Sequence, residues 1–126
     1  MPLIRISLRQ GKSAAHRKAI VDGVYEALRE TFDVPEGDLF ALINEHEAGN
    51  FAYDAHYLGM ARSDDLVFLQ ITVSNTRTIE QKKALYRRIV EHLAEAPGLR
   101  PDDVFINLVE VAKENWSFGR GVAQYV

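Results

Sequence analysis

Shifted by 65 positions, the sequence matches itself without a gap, and this duplication limits the possible folds more than any other feature of the chain. Ile6 falls on Ile71, Lys18 on Lys83, Ala19 on Ala84, Glu26 on Glu91 and Leu28 on Leu93. Farther on, Glu30 meets Glu95, Asp38 meets Asp103, Phe40 meets Phe105 and Glu45 meets Glu110. Conservative pairs such as Ile20 with Leu85 and Val24 with Ile89 keep the same order of elements. Two copies are too few for a solenoid. The expectation is one domain, 1–126, built from an internal repeat, 1–61 and 66–126.

Each copy reads strand, helix, strand. Residues 3–8 and 66–73 are apolar, β-branched-rich runs of strand length. Ile20, Val24, Leu28 and Phe32 then recur every four residues, as do Leu85, Ile89 and Leu93, so each set lines one helix face. Ser13 suits an N-cap, and Thr78-Ile79-Glu80-Gln81 suits a capping box. Pro35 with Gly37, and Pro97, Gly98 and Pro101, end the helices. Second strands are predicted at 39–45 and 104–111. A helix-length crossover implies parallel pairing within each copy and a right-handed connection. The fold class is therefore α+β, a duplicated β-α-β: a four-stranded sheet with both helices on one face. The connector, residues 48–65, is expected to be polar and to carry a short hairpin. The tail is expected to turn at residues 115–121 and end in a short strand at 122–126. Two helices cover only one side of such a sheet, which predicts a homo-oligomer with sheets packed on one another.

Composition removes several classes of function. A net charge of −3 argues against a nucleic-acid surface, which needs clustered Lys and Arg. No apolar run approaches the roughly 20 residues of a membrane span, and no signal-peptide hydrophobic region follows the start. Cysteine is absent, excluding disulfides and thiolate chemistry. A cytoplasmic protein is the expectation. His16, His46, His56 and His92 fall in no metal-ligand spacing, so no metal site is expected.

Chemistry has few places to sit. Proline is small enough for Met1 to be cut off during synthesis, which would leave Pro2 as a secondary amine anchored to a strand. An α-amine titrates at about 7.7–8.0, close enough to neutrality to serve as a general base. Lys12 and Arg77 each precede a helix N-cap, where orphan N–H groups favour anions. Arg77 is either a carboxylate site or a solvated charge beside a cap. Asp38 and Asp103 open the second strands after Pro-containing turns, and turn chemistry is the ordinary reason for such an Asp. Asp38 becomes a functional candidate if its strand runs beside the one carrying Pro2. Trp116 and Phe118, in a Gly-flanked loop, suit a pocket wall or a subunit interface.

Taken together, these features resemble the tautomerase superfamily, and within it the malonate semialdehyde decarboxylase group. The resemblance runs over nearly the whole chain. It is carried by Met1-Pro2-Leu3, by Val34-Pro35-Glu36-Gly37-Asp38, by Arg77-Thr78-Ile79-Glu80-Gln81-Lys82 and by Trp116-Ser117-Phe118-Gly119-Arg120-Gly121. Oxalocrotonate tautomerase is similar to one half of the chain. The resemblance implies a homotrimer and an amino-terminal proline, Pro2, as the catalytic group, with no cofactor. It implies Asp38 as an acidic partner, Arg77 as one of two substrate-binding arginines, and Trp116 and Phe118 as pocket wall. The position of the second arginine holds Asn75, which can donate hydrogen bonds to a carbonyl oxygen but brings no charge. The function implied is keto–enol tautomerisation of a small-molecule 2-oxo acid with neutral Pro2 as base. The alternative is decarboxylation of a 3-oxo acid, or hydration of an unsaturated one, with protonated Pro2 as acid. A signalling role on the same scaffold is a third expectation, and no residue favours it.

Overall fold

The computed structural model describes residues 1–126. Its main elements are β1 (Leu3–Arg9), α1 (Ala14–Phe32), β2 (Ala41–His46), β3 (Val67–Ser74), α2 (Ile79–Glu95) and β4 (Val104–Val111). The sheet order is β2-β1-β3-β4. β1 pairs parallel with β2, and β3 with β4, while the two inner strands run antiparallel.

The inner pair shows how the duplication closes. Arg5 lies opposite Gln70, its own counterpart in the other copy, since 70 − 5 = 65. A pair of equivalent residues facing each other across antiparallel strands marks a pseudo-twofold axis between the two copies. One copy alone would leave its apolar helix face and sheet face open. The rotation sets the second beside it so that one core fills both.

That core lies between the sheet and the helices. Ile4, Ile6, Leu8, Val67, Leu69, Ile71 and Val73 point inward from β1 and β3, as the two-residue period of a strand requires. The helices meet them with Ile20, Val24, Leu28 and Phe32 from α1 and Leu85, Ile89 and Leu93 from α2. Every residue of the two predicted helix faces is buried. Gly23 lets the helices approach: a Cβ there would lie 2.9 Å from Leu93 Cδ2 and 3.3 Å from His92 Cβ. Both predicted caps form. The Ser13 hydroxyl accepts from the His16 N–H at 3.0 Å. Thr78 Oγ1 accepts from the Gln81 N–H at 3.1 Å, while Gln81 Oε1 accepts from the Thr78 N–H at 2.9 Å.

Two expectations about irregular backbone are corrected. The connector makes no hairpin; it forms single helical turns at Ala48–Asn50 and Tyr57–Gly59. Asp54 fixes the second by accepting from the His56 and Tyr57 N–H groups, both at 2.8 Å, a local side-chain bond that competes with strand pairing. Residues 122–126 form turns rather than a strand, with Val122 N–H reaching Gly119 O and Val126 N–H reaching Ala123 O, each at 3.4 Å. No strand of the same chain stands beside them to pair with. β2 also starts later than predicted, at Ala41, although Phe40 O already accepts from Ile4 N–H at 2.9 Å.

The sheet face away from the helices stays open. Phe68 and Phe105 meet edge to face there at 5.1 Å, and the connector's Phe51 packs on Phe68 at 5.2 Å. No helix of the chain is long and apolar enough to cross a membrane.

Asp103 ties the connector to the start of β4. It is fully buried, and its carboxylate accepts from both the N–H and the hydroxyl of Ser63 at 2.7 Å. Removing it strands two half-buried donors, each costing about 1–3 kcal/mol when left unpaired. Asp103→Ala is expected to lose about 2–4 kcal/mol of unfolding free energy, read as a lower urea midpoint at unchanged slope.

Candidate active site

Topology gathers the chemistry at one edge of the sheet. Because β1 and β3 are antiparallel, the start of β1 lies beside the end of β3. Parallel pairing adds the start of β2 and the end of β4. Pro2, Asp38, Arg77 and Trp116 come from those four strand ends, so residues far apart in sequence converge without a special loop.

Met1 stands between two cavities at this edge. The first, about 380 Å³, is lined by Met1, Asp38, Ser74, Arg77, Lys113 and Tyr125 among others. The second, about 230 Å³ and more apolar, is lined by Met1, Pro2, Phe40, Trp116 and Phe118 among others. Pro2 itself is buried.

The α-amine of Met1 lies 3.8 Å from Asp38 Oδ2, and the two groups are only 15% and 11% exposed. The pair is long for an ion pair, and burial governs both partners. Burial lowers the amine pKa below its ordinary value; Asp38 opposes that shift and the Arg77 cation adds to it. Burial raises the Asp38 carboxyl, with the amine opposing. Both groups therefore drift toward their neutral forms. Asp38 Oδ1 is buried with no hydrogen-bond partner, an unused acceptor of the kind found where function takes precedence.

Arg77 is held firmly. It donates to Thr76 Oγ1 at 2.6 Å and to the Phe32 carbonyl at 2.7 Å, and its guanidinium lies 5.0 Å from the centre of the Phe32 ring. Those contacts engage part of the fork and aim the remainder. Trp116 donates through Nε1 to Ser74 Oγ at 3.1 Å. Its ring stacks on Phe118 at 5.4 Å, and Phe118 meets Tyr125 edge to face at 4.9 Å. Gln124 fastens this tail by accepting from Phe118 N–H and donating to Gly119 O, both at 3.0 Å.

The structure thus brings Pro2, Asp38, Arg77, Trp116 and Phe118 to one edge. Asn75 stands apart: it is exposed, its N–H is given to Val111 O at 3.0 Å, and it lines neither cavity. The chain bends tightly at Asn75, with Thr76 N–H returning to Ser74 O at 2.9 Å, and flanking Ser74 and Thr76 line the cavity while Asn75 does not. Lys12, the other cation before a cap, is paired with Asp65 at the opposite end of the sheet. Sequence reasoning missed Lys113 and Tyr125. Lys113 was within reach of it, because parallel β3 and β4 end on the same edge; Tyr125 depends on the fold of the tail.

The largest hollow, about 720 Å³, lies elsewhere, on the open sheet face between Arg5, Asn44, His46, Phe68 and Gln70. It holds no carboxylate and no terminal amine. His46 Nε2 is buried there without a partner.

Comparison with known proteins agrees with this geometry. Two family models for tautomerase enzymes match, one over residues 38–119 and one over residues 2–61. The probable tautomerase YusQ of Bacillus subtilis is 40% identical over all of this chain and 99% of its own length. A malonate semialdehyde decarboxylase, studied for its decarboxylase and hydratase activities, shares 33% identity and superposes with a TM-score of 0.92, over 98% of this chain and 95% of that one. The FG41 malonate semialdehyde decarboxylase inhibited by 3-bromopropiolate shares 38%, with a TM-score of 0.91, over 98% of this chain and 93% of that one. A fused 4-OT symmetric trimer, 21% identical, shares the fold at a TM-score of 0.79, over 98% and 97% of the two chains. With a matching strand order, a matching helix pair and relatives aligned from end to end, the chain belongs to the tautomerase family.

Proposed function

We propose that this chain, with Met1 removed, is a cofactor-independent tautomerase that interconverts the keto and enol forms of a 2-oxo acid, using the Pro2 amine as general base. The observation that carries the reading is the setting of the terminal amine: burial lowers the Met1 amine's pKa, with Asp38 opposing and Arg77 adding to the shift, and loss of Met1 would present the adjacent Pro2 nitrogen to the same edge. Loss of Met1 removes the wall shared by the two cavities. It leaves a single site, polar at the Asp38 and Arg77 end and aromatic at the Trp116 and Phe118 end.

The chemistry is a proton shift. The Pro2 lone pair takes the enol hydroxyl proton, the C–C double bond collapses toward a carbonyl, and the protonated amine returns that proton to the α-carbon. Atoms and charge balance with no further reactant. Arg77 holds the carboxylate, and Trp116 and Phe118 favour an apolar or aromatic end. We also infer a homotrimer. Support comes from the sheet face that no helix covers, from its exposed Phe105 and unpartnered His46 Nε2, and from the trimeric state of a neighbour with the same fold.

Decarboxylation of a 3-oxo acid is the second reading, favoured by the Asp38 carboxylate beside the chain terminus, 3.8 Å from the Met1 amine, and by the decarboxylases at 33% and 38% identity. There a protonated Pro2 polarises the carbonyl, the bond to the departing carboxylate breaks to release carbon dioxide, and the electron pair returns as an enol that takes a proton at carbon.

The amine's titration separates the two. A base lowered by burial sheds its proton below the ordinary 7.7–8.0 range, so tautomerase activity rises with pH through that value and then levels. Pro2→Ala is expected to cut kcat/KM by at least about 100-fold, measured on a panel of aryl and short-chain oxo acids with Met1 loss checked by intact mass. An NMR titration placing the amine clearly above the free value, with faster turnover of 3-oxo acids, selects the decarboxylase instead.

Asp38 gives an independent check. Its raised carboxyl keeps a proton in the folded chain that the unfolded chain has already released. Stability therefore falls as pH rises from the unfolded to the folded value. Asp38→Asn removes that loss, so its melting temperature at pH 7 is expected to equal or exceed the wild type's. A clearly lower value means the carboxylate stabilises the fold through the amine.

A further inference from the structure

The cavity that holds Asp38 and Arg77 has a second cation in its wall, Lys113. β3 and β4 pair in parallel as far as Ser74 and Val111, and Asn75 N–H continues the pairing to Val111 O at 3.0 Å. Lys113, two residues past Val111, therefore stands across from the segment that carries Thr76 and Arg77. It opens a single helical turn, Lys113–Asn115, and its carbonyl accepts from the Trp116 N–H at 3.4 Å. This backbone bond links the lysine's turn to Trp116, whose indole walls the neighbouring cavity.

The other polar groups around this cavity are largely engaged. Thr76 Oγ1 receives Arg77, and Ser74 Oγ receives Trp116. Lys12, Lys18 and Lys82 are paired with Asp65, Asp22 and Glu110, whereas Lys113 has no carboxylate partner within the chain. A cavity with the two cations Arg77 and Lys113 beside one carboxyl, Asp38, has an excess of positive charge. Such a site selects an anion.

We propose that Lys113 is a second substrate-binding cation, gripping the same carboxylate as Arg77 from the β4 side. It restores, from the neighbouring strand, the charge that Asn75 does not bring to the end of β3. The inference rests on the site assigned above but not on the reaction.

Binding is tested apart from turnover with 3-phenylpropanoate, which has a carboxylate and an aromatic end but no carbonyl to tautomerise. Trp116 is the only tryptophan, so its fluorescence in the mature full chain reports occupancy. Lys113→Met is expected to weaken binding about tenfold or more, and Lys113→Arg to recover most of that loss. Lys83→Met on the exposed side of α2 serves as the control for general charge and is expected to match wild type. Added salt should weaken binding to wild type more than to Lys113→Met. With a reactive 2-oxo acid, Lys113→Met should raise KM more than it lowers kcat. Wild-type affinity in Lys113→Met, or no binding by wild type itself, overturns the proposal. Lysine-dependent binding without turnover of any oxo acid keeps the second cation and overturns the tautomerase reading instead.

Discussion

The antiparallel pairing of β1 with β3 about Arg5 and Gln70 is the constraint from which the rest follows. A β-α-β unit leaves one strand edge and one helix flank exposed. Pairing with its own copy covers both, and the twofold relation leaves no choice about which strand ends meet. The start of β1 must lie beside the end of β3, and the crossovers then place the start of β2 and the end of β4 there too. Four strand ends with their loops make a concave edge before any catalytic residue is chosen.

The same symmetry creates a second, equivalent edge, and the two differ in how their charges are satisfied. Asp103 corresponds to Asp38 and Lys12 to Arg77. At the far edge the chain runs on through the connector, so Asp103 receives the Ser63 N–H and hydroxyl, and Lys12 receives Asp65. Every charge there finds a partner. At the near edge the chain begins, and the carboxylate meets an amine at 3.8 Å while its other oxygen meets nothing. Duplication supplied two identical shells. Chain continuity filled one with structural bonds and left the other with an unsatisfied carboxyl oxygen, a half-buried amine and a firmly held guanidinium. Local disagreement between burial and polar satisfaction is a mark of a working site.

Much of this was legible in the sequence because it is carried by periods. The four-residue recurrence of Ile20, Val24, Leu28 and Phe32, the caps at Ser13 and Thr78, and the 65-residue repeat all depend on local geometry that the chain repeats faithfully. Convergence of Pro2, Asp38 and Arg77 was implied by the resemblance alone; its cause is the strand order β2-β1-β3-β4, which the periods do not encode. What periods do not encode was missed or misread. The turns of residues 48–65 are set by single side chains such as Asp54, and the tail is set by Gln124 clasping Phe118 and Gly119. Asn75 depends on which way one residue faces past the end of a strand. Tyr125 enters the site through the irregular tail, beyond the reach of a pattern of alternation, whereas Lys113 follows β4 onto the edge where parallel β3 also ends.

Whether such an edge acts as base or acid turns on two opposing effects of similar size. Two unit charges about 4 Å apart interact by about 1 kcal/mol in bulk water and about 4 kcal/mol near a protein surface. At the Met1 amine, desolvation exceeds that attraction, and the cation at Arg77 adds to it. A second cation at Lys113 adds positive charge to the wall of the same cavity. Binding an anionic substrate then cancels part of that positive field and displaces water, so the amine's proton affinity rises as the carboxylate settles. An amine that is neutral in the empty site and more basic once the substrate is bound suits proton abstraction. A protonated amine in the empty site would have to overcome both cations at once. On this electrostatic ground the tautomerase reading requires less of the site than the decarboxylase does.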